Sequence, residues 1–137
     1  MTRIPVALRR LVINRSNNRC EYCQLSQAGQ IATFHIDHIV PDSAGGETTA
    51  GNLALACVSC SLKKGARQTI QDPETGDRVQ IFNPRLQVWS ENFAWQGVLL
   101  LGLSPVGRAT IQALQLNRPM MLAIRSEEIV FNRHPPP

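Results

Sequence analysis

Two Cys-x-x-Cys pairs, Cys20/Cys23 and Cys57/Cys60, place the tightest constraint on how this chain can fold. A two-residue gap lets both sulfurs of a pair turn onto one ion while nearby amides face them, and two such knuckles complete a tetrahedral four-thiolate site. The competing arrangements are two disulfides, a redox dithiol or four unrelated buried thiols. Near the start, Arg3, Arg9 and Arg10 interrupt the apolar residues and no small-residue cleavage site follows, so no secretory signal is expected. Disulfides are then disfavoured. A redox pair is expected once, beside a βαβ pattern that this sequence lacks. The sequence therefore predicts one structural Zn²⁺ held by Cys20, Cys23, Cys57 and Cys60. Four thiolates leave no open coordination position, which makes the ion a staple and not a reagent. It fixes both ends of the 33 residues between the pairs (24–56), a segment that holds two of the three histidines.

At 137 residues, 43% hydrophobic and 18% charged, the chain reads as an ordinary globular protein, neither disordered nor collagen-like. Its longest apolar run, 53–58, is far short of a membrane span. A single domain over 1–137 in the cytoplasm is expected: residues 1–67 carry the cysteines, 68–134 form an extension, and 135–137 are a frayed tail. Charge is unevenly shared. Residues 1–67 hold eight Lys and Arg against four Asp and Glu, whereas 68–137 hold six of each. On charge alone, a solvated basic surface and a polyanion-binding surface are equally open.

Residues 4–15 predict a basic amphipathic helix opened near Pro5, with Leu8, Leu11 and Val12 on its apolar side. Residues 34–40 alternate as a strand that Pro41 ends, with Phe34, Ile36 and His38 on one face and His35, Asp37 and Ile39 on the other. A Gly45-Gly46 loop follows, then a short strand at 53–56 and a helix from Ser61 to Arg67 with Lys63 and Lys64 exposed. Further on, the pattern predicts a turn at 72–78, a strand at 79–82, and a hairpin of 88–95 with 98–103 across Gln96-Gly97. Ser104-Pro105 predicts the cap of a helix burying Val106, Ala109, Ala113 and Leu116. A strand at 120–124 and a helical turn at 126–130 are expected after it. Trp89 and Trp95 read as core rather than as a base-stacking platform.

The chemistry gathers between the knuckles. Asp37 is a hard oxygen ligand suited to Mg²⁺ or another divalent cation, and the neutral imidazole of His38 can take a proton from water. Asn52, just after the glycine loop, can bridge backbone groups and hold the strand end in register. Arg9, Arg10, Arg19, Lys63, Lys64 and Arg67 are candidate phosphate contacts. These are parts for metal-assisted hydrolysis of a phosphodiester. Taken alone, Asp37-His38 would read as an exposed acid beside a packed histidine.

The strings R-C-E-Y-C (19–23), F-H-I-D-H-I-V-P (34–41), Gly45-Gly46 and N-L-A-L-A-C-V-S-C-S-L-K-K-G (52–65) closely resemble the HNH endonuclease family. Later segments, I-F-N-P-R (81–85), W-S-E-N-F-A-W (89–95), G-R-A-T (107–110) and L-N-R-P (116–119), resemble the extension of a bacterial subgroup. The resemblance implies an α+β fold: a ββα-metal core stapled by the four-cysteine zinc site, with a C-terminal hairpin-plus-helix extension packed on it. It also implies a DNA endonuclease or nickase acting on double-stranded DNA with one catalytic Mg²⁺ or Mn²⁺ and leaving a 5′-phosphate. By position, His38 is the general base, Asp37 a ligand of the catalytic metal, and Asn52 the residue that orients the loop. His35 is either a second metal contact or a packed strand histidine. Ser61 departs from the family, which usually has Asn or His there as a further metal ligand. A serine hydroxyl is a weaker ligand than either, so the alternative expectation is a zinc-stabilised nucleic-acid-binding module with weakened catalysis.

Overall fold

The run Leu-Ala-Leu-Ala, short and apolar on both faces, forms strand β2 (Leu53–Ala56), and all four residues are buried. It pairs antiparallel with β1 (His35–His38) in the register His35↔Ala56, Ile36↔Leu55, Asp37↔Ala54, His38↔Leu53. The computed structural model describes residues 3–137, which divide into two units. One runs to Gln68 and includes Asn83–Arg85; the other comprises Thr69–Phe82 and Leu86–Pro137. The β1–β2 ribbon belongs to the first.

In that unit helix α1 (Val6–Arg15) starts after Pro5, as the Pro predicts. Its buried stripe is narrower than expected: Val12 is sealed, Leu8 half-buried and Leu11 42% exposed. The Arg15 guanidinium donates to the Leu53 carbonyl, tying the helix to β2. The first knuckle leans on the same strand, because Glu21 N donates to Leu55 O at 2.8 Å and Glu21 Oε2 accepts from Leu55 N at 2.9 Å. Arg85 forms an ion pair with Glu21 Oε1. Helix α2 (Val58–Lys64) begins three residues before the expected Ser61. The reason is the cap: the Cys57 thiol accepts the Cys60 N–H at 3.4 Å, so the second knuckle is itself the first turn of the helix.

The second unit holds two hairpins and two helices. Strands β3 (Thr69–Gln71) and β4 (Arg78–Gln80) pair around the predicted turn at 72–78. The expected strand at 79–82 is shifted, since Ile81 and Phe82 leave the ladder to be buried and Phe82 N donates to Thr110 Oγ1 at 3.0 Å. Residues predicted as one long strand at 88–95 divide into a helical turn, α3 (Trp89–Asn92), and β5 (Phe93–Gln96). β5 pairs with β6 (Leu99–Gly102) across Gly97-Val98, with Gly97 at φ 61°, so the turn falls one residue later than expected.

Helix α4 (Pro105–Leu114) is capped as predicted, Ser104 Oγ accepting from Gly107 N at 3.0 Å. Its buried face is Gly107, Ala109, Thr110 and Leu114, rotated from the expected stripe, and Leu116 is buried beyond its end. The expected strand at 120–124 is instead part of one helix, α5 (Pro119–Val130). Pro119 sets its first turn and no breaker follows until its end. Phe82, Phe93, Trp89 and Trp95 form a chain of ring contacts with centroids 5.0–5.6 Å apart, which accounts for both tryptophans as packing residues. His134 is buried, its Nε2 2.8 Å from Gly97 O, so the chain is held up to the three terminal prolines. The fold class is mixed α and β, with three two-stranded antiparallel sheets among the described residues.

Candidate functional site

The four cysteines converge. Their sulfurs lie within 4.8 Å of one another, all are buried, and none is in a disulfide. Cys23 N and Cys60 N point at the sulfurs of Cys20 and Cys57, each at 3.4 Å, the amide pattern that stabilises thiolate charge in a knuckle. Hydrogen bonding from its three neighbours holds the Cys57 thiol well below the usual range, while the same crowding pushes Cys23 and Cys60 up. Crowded, buried thiols with amides aimed at them fit a soft dication that satisfies all four at once.

Along β1, side chains alternate, which puts His35 and Asp37 on one face. Helix α2 answers with Ser61 and Lys64, three residues apart and hence on one face of the helix. His35 Nδ1 is 2.9 Å from Ser61 Oγ, and Lys64 Nζ is 3.1 Å from Asp37 Oδ2. Tyr22, from the first knuckle, donates its hydroxyl to Asp37 Oδ2 at 2.8 Å. Burial raises the Asp37 pKa, opposed by the Lys64 ammonium and the Tyr22 hydrogen bond. Burial and the adjacent carboxylate raise the Tyr22 phenol well above its usual range, so it stays a donor.

Lys64 corrects the sequence reading. It was expected on the surface as a phosphate contact, yet it is completely buried. Its ammonium donates to His38 O at 3.0 Å and Ile39 O at 3.1 Å besides pairing with Asp37. Those three partners satisfy all three of its donors and so offset the desolvation of a buried charge. Lys64 is a strut between α2 and β1, and Lys63 is the half-buried neighbour nearer solvent.

His38 lies on the other face of β1, half-buried, with Nε2 2.9 Å from Thr48 Oγ1. Asn52 clamps the loop between the strands. Its Oδ1 accepts from Val40 N at 2.9 Å, and its Nδ2 donates to Val40 O at 3.1 Å and Glu47 O at 2.9 Å. Gly46 makes this closure possible, since a Cβ there would stand 1.8 Å from Val40 O.

Residues 20–67 match the HNH endonuclease family model. The match spans the segment in which the motifs resemble that family, and it contains both knuckles, β1, β2 and α2. Neither the curated proteins nor the solved structures give any match to the chain.

Around the HNH segment lies a cleft of about 1360 Å³ lined by His35, Asp37, His38 and Ser61 together with Arg3 and Arg9. The six residues expected as phosphate contacts are thus not equivalent. Arg9 faces the cleft, whereas Arg10 is exposed and not among its lining residues. Arg19 donates to Gln24 O at 2.8 Å, bracing the first knuckle, and Arg67 folds back on the Lys63 carbonyl. Arg3, Tyr22 and Thr48 escaped the sequence reading. Arg3 had a signal, being one of three arginines among the first ten residues, but Tyr22 and Thr48 are recognisable only from their partners in space. No helix among the described residues is long and apolar enough to cross a membrane.

Proposed function

We propose that this protein is a divalent-metal-dependent endonuclease or nickase of double-stranded DNA, with an HNH core of ββα-metal type built from β1, β2 and α2. The observation that carries the reading is the convergence of Asp37, His38, Arg3 and Arg9 on one cleft within and beside the segment that matches the HNH model. One Zn²⁺ on the four cysteines staples the core. Asp37, with His35 and Ser61 beside it, would hold a Mg²⁺ or Mn²⁺ ion, which would supply positive charge to offset the charge that develops on the phosphodiester.

The remaining work belongs to the chain. Thr48 Oγ1 lies 2.9 Å from His38 Nε2, and in the tautomer whose Nε2–H donates to it, Nδ1 takes the proton of the attacking water. The water oxygen bonds to phosphorus as the bond to the 3′ oxygen breaks, leaving a 5′-phosphate. Asn52 keeps the strand end, and hence the imidazole, in place. Arg3 and Arg9 bind flanking phosphates, with Arg10 and Lys63 as further contacts.

Supercoiled plasmid incubated with the pure protein and Mg²⁺ or Mn²⁺ tests this. Nicked or linear product that disappears in His38→Ala is expected, and equal conversion by both proteins in either metal rejects it. A second reading, a nucleic-acid-binding module without cleavage, is favoured by Ser61 and by the Lys64 ammonium that already neutralises Asp37. It requires steeply salt-dependent DNA binding with no cleavage, and cleavage appearing in Ser61→Asn.

A further inference from the structure

The Ser61 hydroxyl, standing where the family usually has a metal ligand, is spoken for: His35 Nδ1 lies 2.9 Å from it. A serine oxygen can accept as well as donate. In the tautomer whose Nδ1–H donates to it, the imidazole carries its lone pair on Nε2, the form that binds a cation. Among the described residues nothing bonds to His35 Nε2. The ring is exposed and lines the cleft that Asp37 also lines.

The strand geometry brings these two donors together. His35 and Asp37 are two positions apart on one face of β1, a separation of about 7 Å along the strand. Both are fixed from α2 by parallel cross-links, Ser61 to His35 and Lys64 to Asp37. Lys64 and Tyr22 both approach Asp37 Oδ2 most closely, while Oδ1 has only the longer 3.5 Å contact to Lys64. One nitrogen and one carboxylate oxygen therefore remain available on the same side of the ribbon.

We propose that His35, through Nε2, is the second protein ligand of the divalent cation at Asp37, and that Ser61 is not a ligand but the residue that positions the His35 ring. The inference rests on the proposed nuclease reading and changes its ligand set. An imidazole nitrogen replaces the expected oxygen or nitrogen from α2, and the serine becomes functional as a hydrogen-bond acceptor.

The test uses the zinc-loaded full chain and Mn²⁺ alone as the probe. Mn²⁺ affinity is measured by titration, and ¹⁴N coupling to the bound ion by pulsed electron paramagnetic resonance. Wild type is expected to bind Mn²⁺ with a histidine ¹⁴N coupling that persists in His38→Ala and vanishes in His35→Ala. Affinity falls about 100-fold in His35→Ala and about 10-fold in Ser61→Ala, whereas Ser61→Thr, which keeps the hydroxyl, stays near wild type. Unchanged zinc content shows that each variant keeps its fold.

Binding that depends on Asp37, judged by Asp37→Asn, but shows no ¹⁴N coupling, or a coupling that survives in His35→Ala, overturns this inference and leaves the nuclease reading standing. Absence of any Asp37-dependent Mn²⁺ binding in wild type overturns both.

Discussion

Lys64 Nζ, itself sealed from solvent, lies 3.1 Å from Asp37 Oδ2, so the carboxylate at the centre of the HNH segment is neutralised from within the domain. Replacing one partner of such a pair leaves the other charged and buried. Lys64→Met is expected to cost about 3–5 kcal/mol, because it strands Asp37 and also frees the carbonyls of His38 and Ile39. Tyr22→Phe removes a single hydrogen bond to the same carboxylate and is expected to cost about 2 kcal/mol. Urea unfolding of the zinc-loaded variants measures both. Lys64→Met as stable as wild type would show that the ammonium is not the strut described above.

The same contacts link the cysteine cluster to strand β1. Tyr22 stands between Cys20 and Cys23, and Lys64 ends the helix that the Cys57–Cys60 knuckle begins. Zinc analysis should find one ion per chain, lost in Cys57→Ser. Chelation should raise amide hydrogen exchange at Asp37 and His38 as well as in the knuckles, since both anchors of Asp37 are released together. If exchange rose in the knuckles alone, the two sites would be mechanically independent.

Much of this arrangement is legible in the sequence. The knuckles, the strand at 53–56, the Ser104 cap and the role open to Asn52 depend on local spacing and local hydrogen bonding, which sequence encodes directly. Lys64 was not readable. Two adjacent lysines look alike in a sequence, and which one is buried depends on where the helix begins. The Cys57 thiol starts α2 at Val58 rather than Ser61, a cap visible only when the knuckle and the helix are seen as one turn. The strand expected at 120–124 gives way to helix α5 for a related reason: these residues are apolar enough for a strand, but Pro119, with its fixed φ, starts a helix that continues without interruption to Val130. Thr48 and Tyr22 gave no signal because their partners are 10 and 15 residues away in sequence.

Asn52 is the joint of the loop that carries the strand end after His38. It makes three hydrogen bonds to backbone, and losing them in Asn52→Ala is expected to cost about 3 kcal/mol, at about 1 kcal/mol for each. Gly46→Ala attacks the same closure from the other side, because the new Cβ would stand 1.8 Å from Val40 O and the loop must open to admit it. Both variants should retain zinc and show reduced plasmid cleavage. Full cleavage by Gly46→Ala would mean that the closed loop is not what positions the imidazole.

Asp72 offers a pH dependence confined to the second unit. It is buried, and its carboxylate accepts from Arg108 Nε at 3.1 Å and Nη2 at 2.8 Å, with Glu74 N and the Thr75 hydroxyl completing its shell. These donors, the Arg108 guanidinium above all, hold the carboxyl well below the usual carboxylate range. In the unfolded chain the same group titrates at about 3.9. Above that pH both states are ionised and the contribution to stability is complete. As pH falls through the unfolded value the unfolded chain binds a proton that the folded one refuses, and stability is lost on the way down to the folded pKa. Asp72→Asn removes the titrating group and with it this share of the acid sensitivity. Urea midpoints between pH 6 and pH 3 should therefore fall more steeply for wild type than for Asp72→Asn. Parallel slopes would show that the Arg108 pair does not survive as an ion pair in solution.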